Sequence, residues 1–362
     1  MRGTDCPCTA LAPTTKKDRP ISNFEGFEFC ISDLKSLSKK TKPFTAPGFD
    51  GIKYGIYSKF PDLLLPSIHS ICSRSIMGDA PVQWLGSKLH PLYKNKGSLH
   101  DMSNFRDILL ADTSGKLFKR TLRSKCVPFL ESFILDSMCG GFQKRGVDFC
   151  SHFIRSRRSI AEVQKHNFAS LFLDVKSAFA GVLREFALHD SHPYSDSEIC
   201  CLFDRFGFEP EVFHDFLVTF KDASALDQAG VPKSVSDQIA PYFFDTFFCV
   251  DDSKDCVVYK NGTGAGTPIA DLMFTFIMSR VLRKCEERLS DLELLDVFEF
   301  GNAAILGPHI GEKYKDLGAS YVDDCVFYAT SSCPRNCVSK ICAVASVVFD
   351  VFASFGLVLN FQ

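Results

Sequence analysis

The chain has no excess of charge of either sign. Its 41 Lys and Arg against 43 Asp and Glu give a formal net charge of −2, so overall basicity does not advertise nucleic-acid binding. No uninterrupted apolar run approaches ~20 residues, which argues against a membrane span. Met1 to Thr15 has no apolar stretch between a basic start and a cleavage site, so no secretory leader is expected there. Internal repeats and low-complexity blocks are absent. A single Trp stands against 36 Phe, and composition alone offers no physical account of that bias. The 16 Cys are scattered from Cys6 to Cys342. Neither Cys6-x-Cys8 nor the group Cys333, Cys337 and Cys342 has a His or Cys partner that would suit zinc. The thiols therefore read as reduced and mostly buried.

What is present is ordinary globular material: 362 residues, 46% apolar and 23% charged, enough for two domains or one large one. Charge is uneven along the chain. Lys88, Lys94, Lys96, Arg106, Lys116, Lys119, Arg120, Arg123 and Lys125 are opposed only by Asp101, Asp107 and Asp112. A second basic stretch holds Lys144, Arg145, Arg155, Arg157 and Arg158, while Asp251, Asp252 and Asp255 gather elsewhere. One basic face on a neutral protein suits phosphate; a solvated helix surface is the alternative.

Residues 1–24 read as a loose tail. Helical spacing covers Phe27 to Ser38 and Pro61 to Ile76, with Pro and Gly between Lys42 and Gly51 breaking the first helix. Gln83 to Tyr93 reads as a strand and Gly115 to Phe129 as a basic amphipathic helix. His166 to Asp174 is a buried strand ending on a carboxylate, followed by a helix over Ala178 to His189. The stretch near 222–240 is polar and reads as a surface insertion. Phe247 to Tyr259 suggests a hairpin, and Thr267-Pro268 an N-cap with Pro at the first helical position. Two strands flank Asp323-Asp324 within Tyr314 to Ala329. A helix over Asn336 to Phe355 closes on Gly356, and Leu357 to Phe361 starts a strand.

Two acidic features carry chemistry. Asp174 ends an apolar strand, and Asp323-Asp324 sits between Ser320-Tyr321-Val322 and Cys325-Val326-Phe327. Singly, each suits helix capping or turn chemistry. Together, carboxylates at the ends of adjacent strands suit two divalent ions clamping the attacking and leaving oxygens of a phosphoryl transfer. Mg²⁺ takes oxygen ligands and keeps waters, so two or three carboxylates suffice.

Phe172-Leu173-Asp174-Val175-Lys176-Ser177-Ala178-Phe179 and Tyr321-Val322-Asp323-Asp324 resemble two palm motifs of reverse transcriptases. The run from Gly262 to Phe274 is similar to the Gly-x-Pro motif between them. Ala46 to Ile52, Asn104-Phe105-Arg106, Gly141 to Gly146 and Phe355 to Asn360 resemble further segments of the non-LTR (LINE-type) retrotransposon family, in the family's order. The resemblance covers residues 27–362. It implies an α+β fold of fingers (25–165) and palm (166–362). The palm would be a small antiparallel sheet with helices packed behind it, and no thumb would follow. It implies an RNA-directed DNA polymerase acting on an RNA template, a DNA primer and deoxynucleoside triphosphates. Two Mg²⁺ or Mn²⁺ ions would be held by Asp174, Asp323, Asp324 and the carbonyl of Val175.

The resemblance also implies that Lys94 or Lys96, with Arg106, holds the triphosphate. Phe179 would stack under the sugar and exclude a 2′-hydroxyl. Gly264 and Gly266 would admit template or nucleotide close to the backbone. Departures are Ala265 for a frequent Gln, Asp107 for Pro and Ala180 for Asp. The chain stops at Gln362, before the Lys that the family places next, so a fragment or decayed copy with little processive synthesis is expected. The setting would be intracellular, nucleus or cytoplasm, with no membrane and no secretion. The alternatives are a group II intron type enzyme and an inactive nucleic-acid-binding remnant.

Overall fold

Apolar spacing becomes helix and strand in the computed structural model, which describes residues 29–141, 145–189, 194–250, 255–299 and 313–360. The strands among them are β1 (Gly86–Tyr93), β2 (Phe105–Leu110), β3 (Met138–Cys139), β4 (Asn167–Val175), β5 (Phe247–Val250), β6 (Cys256–Val258), β7 (Asp296–Glu299), β8 (Lys313–Asp316), β9 (Ala319–Tyr321), β10 (Asp324–Ser331) and β11 (Leu359–Asn360). The architecture is α+β with small mixed sheets. Two compact units interleave along the chain, where the sequence draws one boundary at 165/166. The first takes the described residues within Met1–Ser132, Val182–Pro193 and Ala223–Phe274. The second takes those within Phe133–Gly181, Tyr194–Asp222 and Thr275–Gln362.

In the first unit, helix Pro61–Ile76 starts on its proline and buries Leu65, Ile68, Cys72 and Ile76, one side at helical spacing. A four-stranded sheet runs β2-β1-β5-β6, with β5 parallel to β1 and the other pairs antiparallel. Cys249 and Cys256 lie opposite each other in β5 and β6 and form a disulfide. That departs from the all-reduced reading, because only strand register sets the two sulfurs side by side. The turn residues Asp251 and Asp252 lie outside the described residues, as do Phe142, Gln143, Lys144 and the tail 1–24.

The stretch near 222–240 is not a surface insertion. Helices Ala225–Gln228 and Lys233–Phe244 occupy it, burying Leu226, Val235, Ile239, Tyr242 and Phe243. Ser234, Ser236, Asp237 and Gln238 masked the helical spacing of Val235, Ile239 and Tyr242. Gln238 turns inward and donates from Nε2 to the Ile76 carbonyl (2.9 Å). The lone Trp84 stacks on Phe118 and donates from Nε1 to Ser114 Oγ (2.9 Å).

Helix Thr113–Phe133 carries the centre of the basic stretch, yet uses most of its cations internally. Lys116 Nζ donates to the Ala46 carbonyl (2.9 Å) and Arg120 Nη1 to Thr41 Oγ1. Arg123 Nη1 reaches the Pro268 carbonyl (3.1 Å) and Asp271 Oδ1 (2.6 Å). The expected phosphate-gripping face of this helix is therefore largely consumed by the unit's own oxygens.

Lys119 is buried, its Nζ 5.5 Å from the centroid of the Tyr242 ring. Burial pushes its pKa down to about 8; Lys116 adds to the push and Asp112 opposes it. The unfolded chain then holds more protons between pH ~8 and ~10.5, so stability rises with pH across that window. Charging Lys119 in the fold costs about 3 kcal/mol at most. Urea unfolding of Lys119→Met should show higher stability at pH 7 and a flatter rise from pH 8 to 10 than the unaltered chain. Identical pH slopes in the two proteins would refute this.

The second unit is built on a five-stranded sheet ordered β11-β4-β10-β9-β3. Its first four strands pair antiparallel, but β3 pairs parallel to β9, so the sheet is mixed rather than antiparallel. No tight turn joins β3 to β9, so hairpin geometry does not set their direction. Cys325 and Phe327 project from one side of β10, Val326 and Tyr328 from the other, and all four are buried. On the Val326 side, Cys150, Phe153 and Ile154 of helix Val147–Val163 cluster with Cys139 and Ala319.

Helix Pro334–Ser354 packs against β10 and β4. It is long and apolar enough to cross a membrane, with a mean hydropathy of 1.8, although Lys340 and Asp350 interrupt its apolar run. Its end matches the expectation at Gly356, which takes φ +67° and donates to the Ala353 carbonyl (2.9 Å). The β7–β8 pair is anchored by ion pairs. Arg157 Nε lies 2.5 Å from Asp316 Oδ2, and Lys340 Nζ lies 2.5 Å from Asp296 Oδ1.

Candidate functional site

The apolar run Phe168 to Leu173 forms most of β4, and Asp174-Val175 ends it. Antiparallel pairing with β10 sets Leu173 opposite Cys325. One further step of that register brings Asp324, the first residue of β10, beside Asp174. On the other edge of β4, Asn360 of β11 faces Asp174 and Leu359 faces Val175. Asn360 Nδ2 donates to Asp174 Oδ2 at 3.3 Å.

Asp323 enters through the β9–β10 turn. Tyr321 pairs with Asp324, leaving Val322-Asp323 as a two-residue connection. Val322 takes φ +61°, a left-handed conformation that a β-branched residue adopts at a cost of roughly 1–3 kcal/mol. The turn is held by Val322 N–H donating to the Cys139 carbonyl (3.2 Å). Gly140 makes room for it: a Cβ there would sit 2.6 Å from Val322 Cγ2.

Asp174 and Asp323 are half-buried and Asp324 is exposed. Among the described residues, Asn360 alone bonds the Asp174 carboxylate, at Oδ2, and the Asp324 side chain makes no hydrogen bond or ion pair. Three carboxylates and a peptide carbonyl are hard oxygen donors of the kind Mg²⁺ and Mn²⁺ prefer, so the donor chemistry fits. The side chains are not gathered into a ready ligand set: among the described residues no group of three His, Cys, Asp or Glu is placed to hold a metal. Like-charged carboxylates repel unless a cation lies between them.

Beyond Val175 the chain turns at Ser177, with φ +52°, into the one-turn helix Ala178–Gly181. That turn carries half-buried Phe179. The expected helix to His189 stops at Gly181 and resumes as a 3₁₀ turn over Arg184–Phe186.

Lys94, Lys96, Arg106, Gly264 and Gly266 belong to the first unit. Lys94 Nζ donates to the Ser103 carbonyl (2.9 Å), whereas Lys96 and Arg106 are exposed and make no hydrogen bond or ion pair with a described residue. Arg106 lies on β2, and the Gly-rich loop docks on that same strand through Leu109 N–H donating to the Ala265 carbonyl (2.8 Å). Gly264 and Gly266 take φ +75° and +97°. Added Cβ atoms would meet Tyr259 Oη and the Leu109 carbonyl, each at 2.7 Å. The close approach these glycines permit is to their own unit's backbone and Tyr259.

The sequence missed what holds this loop. Arg184, 1% exposed, donates from Nε to the Gly262 carbonyl (2.7 Å) and from Nη1 to the Phe244 carbonyl (3.4 Å). Its guanidinium stacks 4.5 Å from the Tyr259 ring centroid. The available signal was a charged pair, Arg184-Glu185, inside the apolar run Val182 to Leu188. Thr267 and Pro268 do not start the following helix. Thr267 N–H donates to the Gly264 carbonyl (3.1 Å), and the helix runs Ala270–Asp291.

Comparison with models of known protein families and with curated proteins finds no match for this chain.

Proposed function

We propose that this chain is an RNA-directed DNA polymerase of the non-LTR retrotransposon type. The observation that carries the reading is the strand register that sets the Asp323-Asp324 turn beside the end of β4 at Asp174. Two stretches of chain 149 residues apart in number, 174 and 323, meet at one end of one sheet. Divalent ions bound there would activate a primer 3′-hydroxyl and neutralise charge on the leaving oxygen. Asp174, Asp323 and Asp324 would hold those ions. The hydroxyl gives up its proton to solvent as its oxygen bonds to the α-phosphorus of a deoxynucleoside triphosphate, and the bond from that phosphorus to the bridging oxygen breaks to release pyrophosphate. Arg106 and Lys96 are the uncommitted cations that suit the triphosphate.

The test is addition of one deoxynucleotide to a DNA primer on an RNA template, with Mg²⁺ or Mn²⁺, by the full 362-residue chain. One-nucleotide extension that vanishes with chelator is expected. Primer–template binding without extension under either metal would refute the enzyme and favour a binding protein.

Phe179 supplies a second check. A ring under the sugar rejects a 2′-hydroxyl by shape, and a discrimination of this size is worth roughly 10–200-fold. Phe179→Val should raise ribonucleotide incorporation relative to deoxynucleotide by a factor in that range. A selectivity ratio unchanged within about twofold would remove Phe179 from the sugar site.

A further inference from the structure

We infer that Asn360 is a positioning residue for the Asp174 carboxylate, an inference that rests on the polymerase reading above. Asn360 lies 186 residues from Asp174 and faces it across the β11–β4 pair. Its Nδ2 donates to Oδ2 at 3.3 Å. A carboxylate on a strand end has two free torsions and two equivalent oxygens. One fixed donor on Oδ2 removes that degeneracy and would leave Oδ1 as the oxygen available to a cation. The amide brings no charge of its own, so it orients the ligand without competing for the ion.

Three features argue that the contact serves the carboxylate rather than the sheet. Strand β11 is only Leu359–Asn360, so its backbone ladder is short. Leu359 is buried and supplies the apolar anchor. Asn is a poor strand former, and an apolar or β-branched residue would serve pairing better at position 360. Partners that orient metal-ligating side chains typically change metal affinity or activity by roughly 10–100-fold when removed.

The experiment measures Mn²⁺ binding directly, by titration calorimetry on the full chain, beside the metal dependence of single-nucleotide addition. Asn360→Leu keeps the volume and removes the donor; Asn360→Val is a β-favouring second variant without a donor, used if the first unfolds. Expected is Mn²⁺ affinity weakened roughly 10–100-fold, with the metal activation midpoint moved up by a similar factor. Saturating Mn²⁺ should restore most of kcat, and thermal unfolding should stay unchanged, an outcome that a merely structural role would reverse. Asp174→Asn is the reference for the site. Equal Mn²⁺ binding by the unaltered chain and the Asn360 variants, when Asp174→Asn abolishes it, would overturn this inference and leave the polymerase reading standing. If the unaltered chain binds no Mn²⁺ that Asp174→Asn removes, both fall together.

Discussion

Asp323→Asn should lower single-nucleotide addition by at least ~10³-fold, about 4 kcal/mol in the barrier, while primer–template binding persists. Asparagine keeps the shape of the side chain and removes the negative charge that a divalent ion requires. It is also well tolerated in two-residue turns, so the β9–β10 connection should survive. The Val322 turn is held by its N–H bond to the Cys139 carbonyl, and Gly140 leaves room for its side chain. Loss of activity with an unchanged circular dichroism spectrum would report lost chemistry and not a lost fold. The measurement is single-turnover primer extension in Mn²⁺, with circular dichroism of both proteins. A variant that keeps more than a tenth of the unaltered rate would mean that Asp323 is no metal ligand.

Arg184→Ala should destabilise the chain by roughly 3–4 kcal/mol in urea unfolding. Burial pulls the guanidinium pKa down, and nearby Tyr259 and Glu185 pull it up again. Truncation would remove charge-assisted bonds to the Gly262 and Phe244 carbonyls, leave the Gly262 oxygen without its donor and open a void beside Tyr259. Relief of burying a charge offsets part of this, which keeps the figure below a simple sum. Arg184→Lys keeps the charge but loses the planar fork, so about half the effect is expected. A loss below ~1 kcal/mol would show that the loop holds without Arg184.

Local structure was largely legible where one side of an element is apolar at a clean period. Helix Pro61–Ile76 has the expected ends, and β4 differs from the expected strand by a residue at either end. The β9–β10 turn was legible because Tyr321-Val322-Asp323-Asp324 interrupts two apolar runs. Helix Lys233–Phe244 was hidden because its inward positions include Ser236 and Gln238, whose burial only a partner such as the Ile76 carbonyl permits. The basic stretch was misleading for a related reason. A list of lysines and arginines does not say that Lys116 and Arg123 meet carbonyls of distant loops, or that Lys119 lies inside.

The sequence by itself determined which acidic residues end strands, where the turn between β9 and β10 falls, and which glycines the loop after Tyr259 must have. These depend on backbone preference and short-range period, which a few neighbouring residues set. Only tertiary structure decided that Asp324 comes beside Asp174, that Asn360 points a donor at that carboxylate, and that Cys249 meets Cys256. Strand register and burial arise from contacts between segments far apart in the chain, and a local pattern carries no record of its partner.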